Sequence, residues 1–255
     1  MRATLARAGL LLGLGALACD TQARTDREQA VRDVVRHLRA NECPAAVERL
    51  NDGLKAENPE LAMMAGTMFD IGICVAKDWD KAVGFYVRAS DAGIKEGAYR
   101  LAAGFAARQH GPDTAAALWW AARAGLQADG CTGKLPKMDD PERFVEELKR
   151  WPAHELAVCN FVVGSIAFIL ADARYPLGGV KTEISGRAEI TYRPAANSFR
   201  EDTRDATIPA RDKMGRVLTQ AIGHAGPLFT KPAGIDPEWE LRFVVPIDAD
   251  KSRWW

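Results

Sequence analysis

The chain has 255 residues, 47% hydrophobic and 27% charged, with 34 basic residues balanced by 34 acidic ones. That length holds one large or two modest domains, and the composition is that of a globular protein rather than a disordered or fibrous one. The balanced charge supplies no field to draw nucleic acid, and the four histidines, at 37, 110, 154 and 224, lack metal-ligand spacing.

The first predicted element is a secretory signal over residues 1–18. Arg2 and Arg7 give a basic start, Ala8 to Ala18 is apolar and too short for a bilayer span of ~20 residues, and small residues sit at the cut. Ala16-Leu17-Ala18 fits ordinary cleavage. Leu17-Ala18-Cys19 also resembles a bacterial lipobox, in which Cys19 becomes the lipidated first residue, although Ala16 stands where that motif usually has leucine. Both outcomes stay open. Cleavage leaves 32 basic against 34 acidic residues, a net charge of −2, with residues 19–25 as a polar tether.

Compartment then bears on the other cysteines, Cys43, Cys74, Cys131 and Cys159. An even number in an exported chain suggests two disulfides. Sequence proximity favours Cys43–Cys74 and Cys131–Cys159 among the three possible connectivities, with four buried free thiols as the alternative. No C-x-x-C occurs, which argues against a redox enzyme.

From Asp26 the pattern is helical, with Val31, Val34, Val35 and Leu38 on one face. Asn41-Glu42-Cys43-Pro44 breaks it. A second helix carries Ala46, Val47, Leu50 and Leu54 and ends at Asn58-Pro59, because the residue before proline avoids the α region.

Residues 62–125 then repeat a unit. Ala62-Met-Met-Ala-Gly-Thr-Met-Phe69 precedes Phe85-Tyr86-Val-Arg-Ala89-Ser-Asp-Ala-Gly93; Ala98-Tyr-Arg-Leu-Ala-Ala-Gly-Phe105 precedes Leu118-Trp119-Trp120-Ala-Ala-Arg-Ala-Gly125. The first helices align at an offset of 36 (Phe69 with Phe105) and the second at 32 (Ala89 with Ala121). A shorter connector around Gln109-His110-Gly111-Pro112 is expected to absorb the difference. Alanine and glycine let backbones approach, Phe69, Phe85, Tyr86, Phe105 and Trp119 fill the gaps, and Gly93 and Gly125 suit helix stops. Trp119 and Trp120 point about 100° apart on a helix. One is core and the other a binding anchor, or both are core.

These residues resemble the Sel-one-like repeat, a tetratricopeptide relative, over about 60–127. The resemblance implies an α-solenoid over 26–127, the helices of 26–57 completing three hairpins. Stacked hairpins usually bind partners rather than catalyse. Tyr86, Tyr99 and Trp120 are the expected partner contacts, in a concave groove.

Gly130, Cys131, Gly133, Pro136 and Pro141 mark a break after Gln127, and connecting helices are expected over 128–174. Asp140-Pro141 opens one, to about Arg150, with Phe144, Val145 and Leu148 inward. Residues 156–171 are strongly apolar, interrupted by Asn160, Gly164 and Ser165, and read first as a buried helix and second as a buried strand. After Tyr175-Pro176 the period becomes two: Ala188, Ile190 and Tyr192 alternate with Arg187, Glu189 and Thr191. Residues 194–206 allow a turn and second strand. Pro209 opens a helix with a Met214, Val217, Leu218, Ala221, Ile222 stripe, ended by Gly223 and Gly226. Trp239, Leu241, Phe243, Val245 and Ile247 form a last strand, and Trp254-Trp255 follow without an assigned role.

Tyr175-Pro176, Gly186 to Tyr192, Leu218 to Ile222, Gly226-Pro227-Leu228 to Pro232 and Glu240 to Pro246 resemble the TonB/TolA C-terminal domain, over about 175–249. That resemblance implies a small α+β domain over 175–255 with a three-stranded sheet, envelope proteins as partners, and β-strand addition as the binding mode. A TonB-type energy transducer also needs a membrane span and a long Pro-rich linker, and the expected cleavable signal and missing linker count against that role.

The expected fold is therefore helical-hairpin repeats followed by a small α+β domain. No G-x-S-x-G, H-E-x-x-H or phosphate-loop motif occurs, so the expectation is a protein that is not an enzyme and takes no cofactor or metal. Its partners would be proteins of the cell envelope and no nucleic acid, with membrane contact only through a lipid anchor at Cys19. A periplasmic immunity protein neutralising a secreted toxin is the alternative, since exported Sel-one-like proteins resemble that class too. An envelope hydrolase is a third reading, disfavoured by the missing motifs.

Overall fold

A computed structural model describes residues 25–137, 139–174, 186–202 and 208–247. The expected signal and tether, Cys19, Tyr175-Pro176 and Trp254-Trp255 lie outside the described residues. Within them the protein is mostly helical, with one small antiparallel sheet toward the C-terminus, so helical hairpins precede an α+β module.

Helix α1 covers 25–39, followed by α2 (Cys43–Lys55), α3 (Pro59–Ile71), α4 (Trp79–Asp91), α5 (Lys95–Ala106) and α6 (Thr114–Arg123). Their ends are set by local chemistry. The Asn58 side chain accepts hydrogen bonds from the Glu60 and Leu61 N–H groups, Asp78 from Lys81, and Asp113 from Ala116. At the end of α4 the Ile94 N–H bonds the Ala89 carbonyl and the Gly93 N–H the Ser90 carbonyl. Leu126 to Ala121 and Gly125 to Ala122 repeat this at α6. Gly93 (φ 91°) and Gly125 (φ 67°) occupy the left-handed position that closes these turns. Helix α2 closes the same way, but with Glu57 at φ 54°.

The repeat also shows in how each connector is pinned. The Asp78 N–H bonds the Phe69 carbonyl at 2.9 Å, and the Asp113 N–H bonds the Phe105 carbonyl at 2.8 Å. These anchors correct the expected place of the length difference. Phe69 to Asp78 spans nine positions and Phe105 to Asp113 eight, so the connector loses only one residue. The rest is in the helix: α4 has 13 residues and α6 has 10. The second hairpin is shorter by nearly one helical turn.

Helix α7 (Pro141–Leu148) is capped by Asp140 and buries Phe144 and Leu148. Val145, expected inward, is 38% exposed, because an eight-residue helix presents only a narrow stripe to its neighbour α6. Helix α8 (Ala153–Arg174) settles the ambiguous apolar stretch as a helix. Every residue from Phe161 to Ala173 is buried, so it needs no polar face. By length and composition α8 passes for a membrane span, yet 78% of that window is buried in protein.

The sheet has strand order β2-β1-β3, from β1 (Gly186–Arg193), β2 (Ser198–Asp202) and β3 (Leu241–Ile247). Helix α9 (Ile208–Ala225) lies between β2 and β3 in sequence and packs on α8. It continues through Gly223, so of the two expected stop glycines only Gly226 ends it. Trp239, expected to start the last strand, precedes β3 and lies against Gly130. Ala188, Ile190, Tyr192, Leu241, Phe243 and Val245 face inward, toward the α8 side.

Two cores result. One joins α1 to α4 and reaches Leu101; the other runs from Ala102 through α6, α7 and α8 to the sheet. Helix α8 packs on α5 and α6 as well as on α9 and β3. The segment between α9 and β3 returns to the repeats, where the Arg108 N–H bonds the Leu228 carbonyl at 3.1 Å.

Candidate functional site

The three aromatic residues expected in a groove have different fates. Tyr86 is fully buried, its hydroxyl donating to Asp70 Oδ2 at 3.1 Å. Its ring lies on the α3 backbone at Gly66, where a Cβ would stand 2.5 Å from a ring carbon. Tyr86 is a core residue and not a groove contact. Tyr99 is half-buried against the second core, and Trp120 is half-buried against both. Arg123 stacks on the rings of Trp119 and Trp120, at 5.8 and 5.5 Å, and Trp119 meets Phe144 edge-on. Both tryptophans pack against the cores but are half-buried, so neither is a fully buried core residue.

Residues 61–68 of α3 are all buried, and α5 is buried at eight positions with α8 against it. The expected groove therefore has α8 in it along α5.

Where that covering occurs, polar side chains meet that the sequence did not single out. His110 Nε2 lies 3.5 Å from Asp70 Oδ1, and its ring stacks on Trp79 at 4.2 Å. Burial, and next the nearby Asp70 charge, push the Tyr86 hydroxyl well above the usual tyrosine range. Asp70, Arg100, Gln109, His110, Phe168 and Leu228 border a cavity of about 20 Å³. That volume suits one water molecule, not a substrate. Further in, Arg100 Nη2 donates to Asp172 Oδ1 at 3.2 Å, and His224 Nδ1 is 3.2 Å from Asp172 Oδ2. Asp172 ends the apolar run of α8, and that charge in a hydrophobic stretch was the available signal. Its partner Arg100 is 72 positions away.

Both favoured disulfides are present. Cys43–Cys74 ties the start of α2 to the loop after α3, and Cys131–Cys159 ties the loop before α7 to α8. Loops of 31 and 28 residues give each bond a chain-entropy contribution of about 3–4 kcal/mol. Two such bonds are compatible with an oxidising, extracytoplasmic compartment.

Among the described residues β2 and β3 are the two edge strands of the sheet, and the outer edge of β3 carries the candidate recognition surface. Among the described residues β3 pairs with β1 alone. Pro246 has no N–H to give a ladder, so its nitrogen belongs on the solvent side of an edge strand. By alternation Arg242 and Val244 also turn their N–H and C=O groups outward. Their side chains are exposed as well, Val244 by 47%. The edge thus offers two donors and three acceptors, beside one cationic and one apolar side chain. No protein family, curated protein or solved structure matches the chain.

Proposed function

We propose that the chain is an exported bacterial envelope protein that acts as a non-catalytic adaptor, binding a partner protein by strand addition at the outer edge of β3. The observation that carries this reading is the outer edge at Arg242 and Val244, which pairs with no other strand among the described residues. Open edges are templates for another strand, and native proteins usually blunt them. Here Pro246 blunts one end and leaves two donors in the middle. Main-chain hydrogen bonds would supply affinity, with an acidic side chain opposite Arg242 and an apolar one opposite Val244 supplying specificity. The resemblance to the TonB/TolA domain supports the same mode, and the disulfides and signal-like N-terminus support export. Export would leave a mature chain beginning at Cys19, and the intact mass of that N-terminus distinguishes a diacylated cysteine from a plain one.

Val244→Pro tests the edge. It removes one outward N–H and leaves the pairing with β1 alone. Capture of the envelope partner is expected to fall at least tenfold, with a thermal midpoint close to the parent's. Undiminished capture by Val244→Pro would exclude the edge as the binding surface.

A further inference from the structure

The outer face of the sheet carries a charge arrangement of which edge pairing uses Arg242 alone. The register places Arg200 of β2 and Arg242 of β3 on either side of Thr191, in one row across three strands. Both arginines are exposed and Thr191 is half-buried. Neither arginine forms an ion pair among the described residues. Arg193 lies two residues along β1 on the same face, where its Nε donates to Glu240 Oε1 at 2.6 Å. Arg193 first, then Arg242 and Arg200, hold the Glu240 carboxyl below the usual glutamate range. Three guanidinium groups thus surround one carboxylate at this end of the face. Arg187 extends the patch along β1, and the adjoining row, Asp202–Glu189–Val244, borders it with two acidic positions.

The geometry selects among anions. Adjacent strands lie about 4.8 Å apart, so the Cα atoms of Arg200 and Arg242 stand roughly 10 Å apart with the Thr191 hydroxyl between them. Two guanidinium forks and a hydroxyl suit a group with three or four acceptor oxygens, which is a phosphate rather than a carboxylate. The surroundings suggest where that phosphate resides. Val244 is an exposed apolar side chain on the same face. We infer that the outer face of the sheet docks on an anionic phospholipid surface, with a lipid phosphate over Thr191 between Arg200 and Arg242. This contact is additional to any acyl chain on Cys19, and it shares Arg242 and Val244 with the strand-addition edge.

The test is partition of the full chain, carrying Cys19→Ser to prevent acylation, onto vesicles. Binding is expected to phosphatidylcholine vesicles with about one third phosphatidylglycerol, and to weaken sharply as salt is raised. Arg200→Gln with Arg242→Gln is expected to lower the partition coefficient at least tenfold. Arg49→Gln with Lys55→Gln, which removes the same charge from exposed α2, is expected to leave it within twofold. Arg200→Lys with Arg242→Lys is expected to retain more binding than the glutamine pair. Equal losses in the sheet and α2 variants, or no loss in the sheet variant, would overturn the docking site. So would saturable binding of inorganic phosphate without vesicle binding, or binding of polyglutamate in preference to vesicles, which would assign the face to a soluble anion or an acidic protein.

Discussion

Asp172 is only 1% exposed, and Arg100 is only 2% exposed beside it, with the Arg100 guanidinium 5.4 Å from the Phe168 ring. Neither charge reaches bulk water, so removing one takes the opposite charge away from the other. Asp172→Ala is expected to cost about 3–5 kcal/mol in denaturant unfolding. Arg100→Met combined with Asp172→Leu should recover most of that loss, and failure to recover would show that the pair contributes beyond mutual neutralisation. Tyr86 and Tyr192 give a pH signature. Burial raises both hydroxyls above the usual tyrosine range. A group whose folded pKa is raised contributes stability that is complete below the unfolded pKa, near 10, and is lost as pH rises through the folded value. Stability should therefore fall above about pH 10, and absorbance at 295 nm should show these two tyrosines ionising only as the fold opens. Tyr86→Phe or Tyr192→Phe should remove one step each. Tyr86 also shows what sequence leaves out at this scale: an aromatic on an alanine-rich helix signals packing or binding equally, and only the bare backbone at Gly66 makes it packing.

Helix and strand types followed from periodicity, because apolar spacing at three and four, or at two, reports the buried face directly. Boundaries depended on backbone closure, which is legible where glycine marks it and hidden where it does not. Gly93 and Gly125 announced the ends of α4 and α6, whereas Glu57 closes α2 in the same left-handed turn without a glycine. Glu57→Gly should therefore stabilise the protein by about 0.5–1 kcal/mol, the strain relieved exceeding the added unfolded-chain entropy; an unchanged or lower denaturation midpoint would contradict this. Gly223 misled for the converse reason, since a glycine inside α9 costs helix propensity without ending the helix. The repeat offset misled too: aligned side chains reveal that residues were lost, but only the Asp78 and Asp113 caps reveal that most were lost from helix α6.

At the scale of the molecule, the break after Gln127 is plain in composition, yet α8 crosses it in packing. One core holds Ala102 of the repeats and Val245 of the sheet together. The sequence could not show this, because a helix buried on all faces carries no directional pattern to name its neighbours. A chain ending after Arg174 should lose the contacts of α8 with α9 and β3 and expose its apolar side. It is expected to aggregate or to unfold at a clearly lower temperature than the full chain; a truncated protein with an undiminished melting temperature would show that the halves are energetically separate. The same feature bears on the order of events during synthesis. Helices α3 to α6 leave the ribosome well before α8, and if the chain crosses a membrane N-terminus first they arrive there first as well. Until residues 153–174 follow, the alanine-rich side of α5 is bare and Cys131 has no Cys159 to meet. The interval before α8 docks is thus when the chain is most open to chaperones, to proteases and to the wrong disulfide.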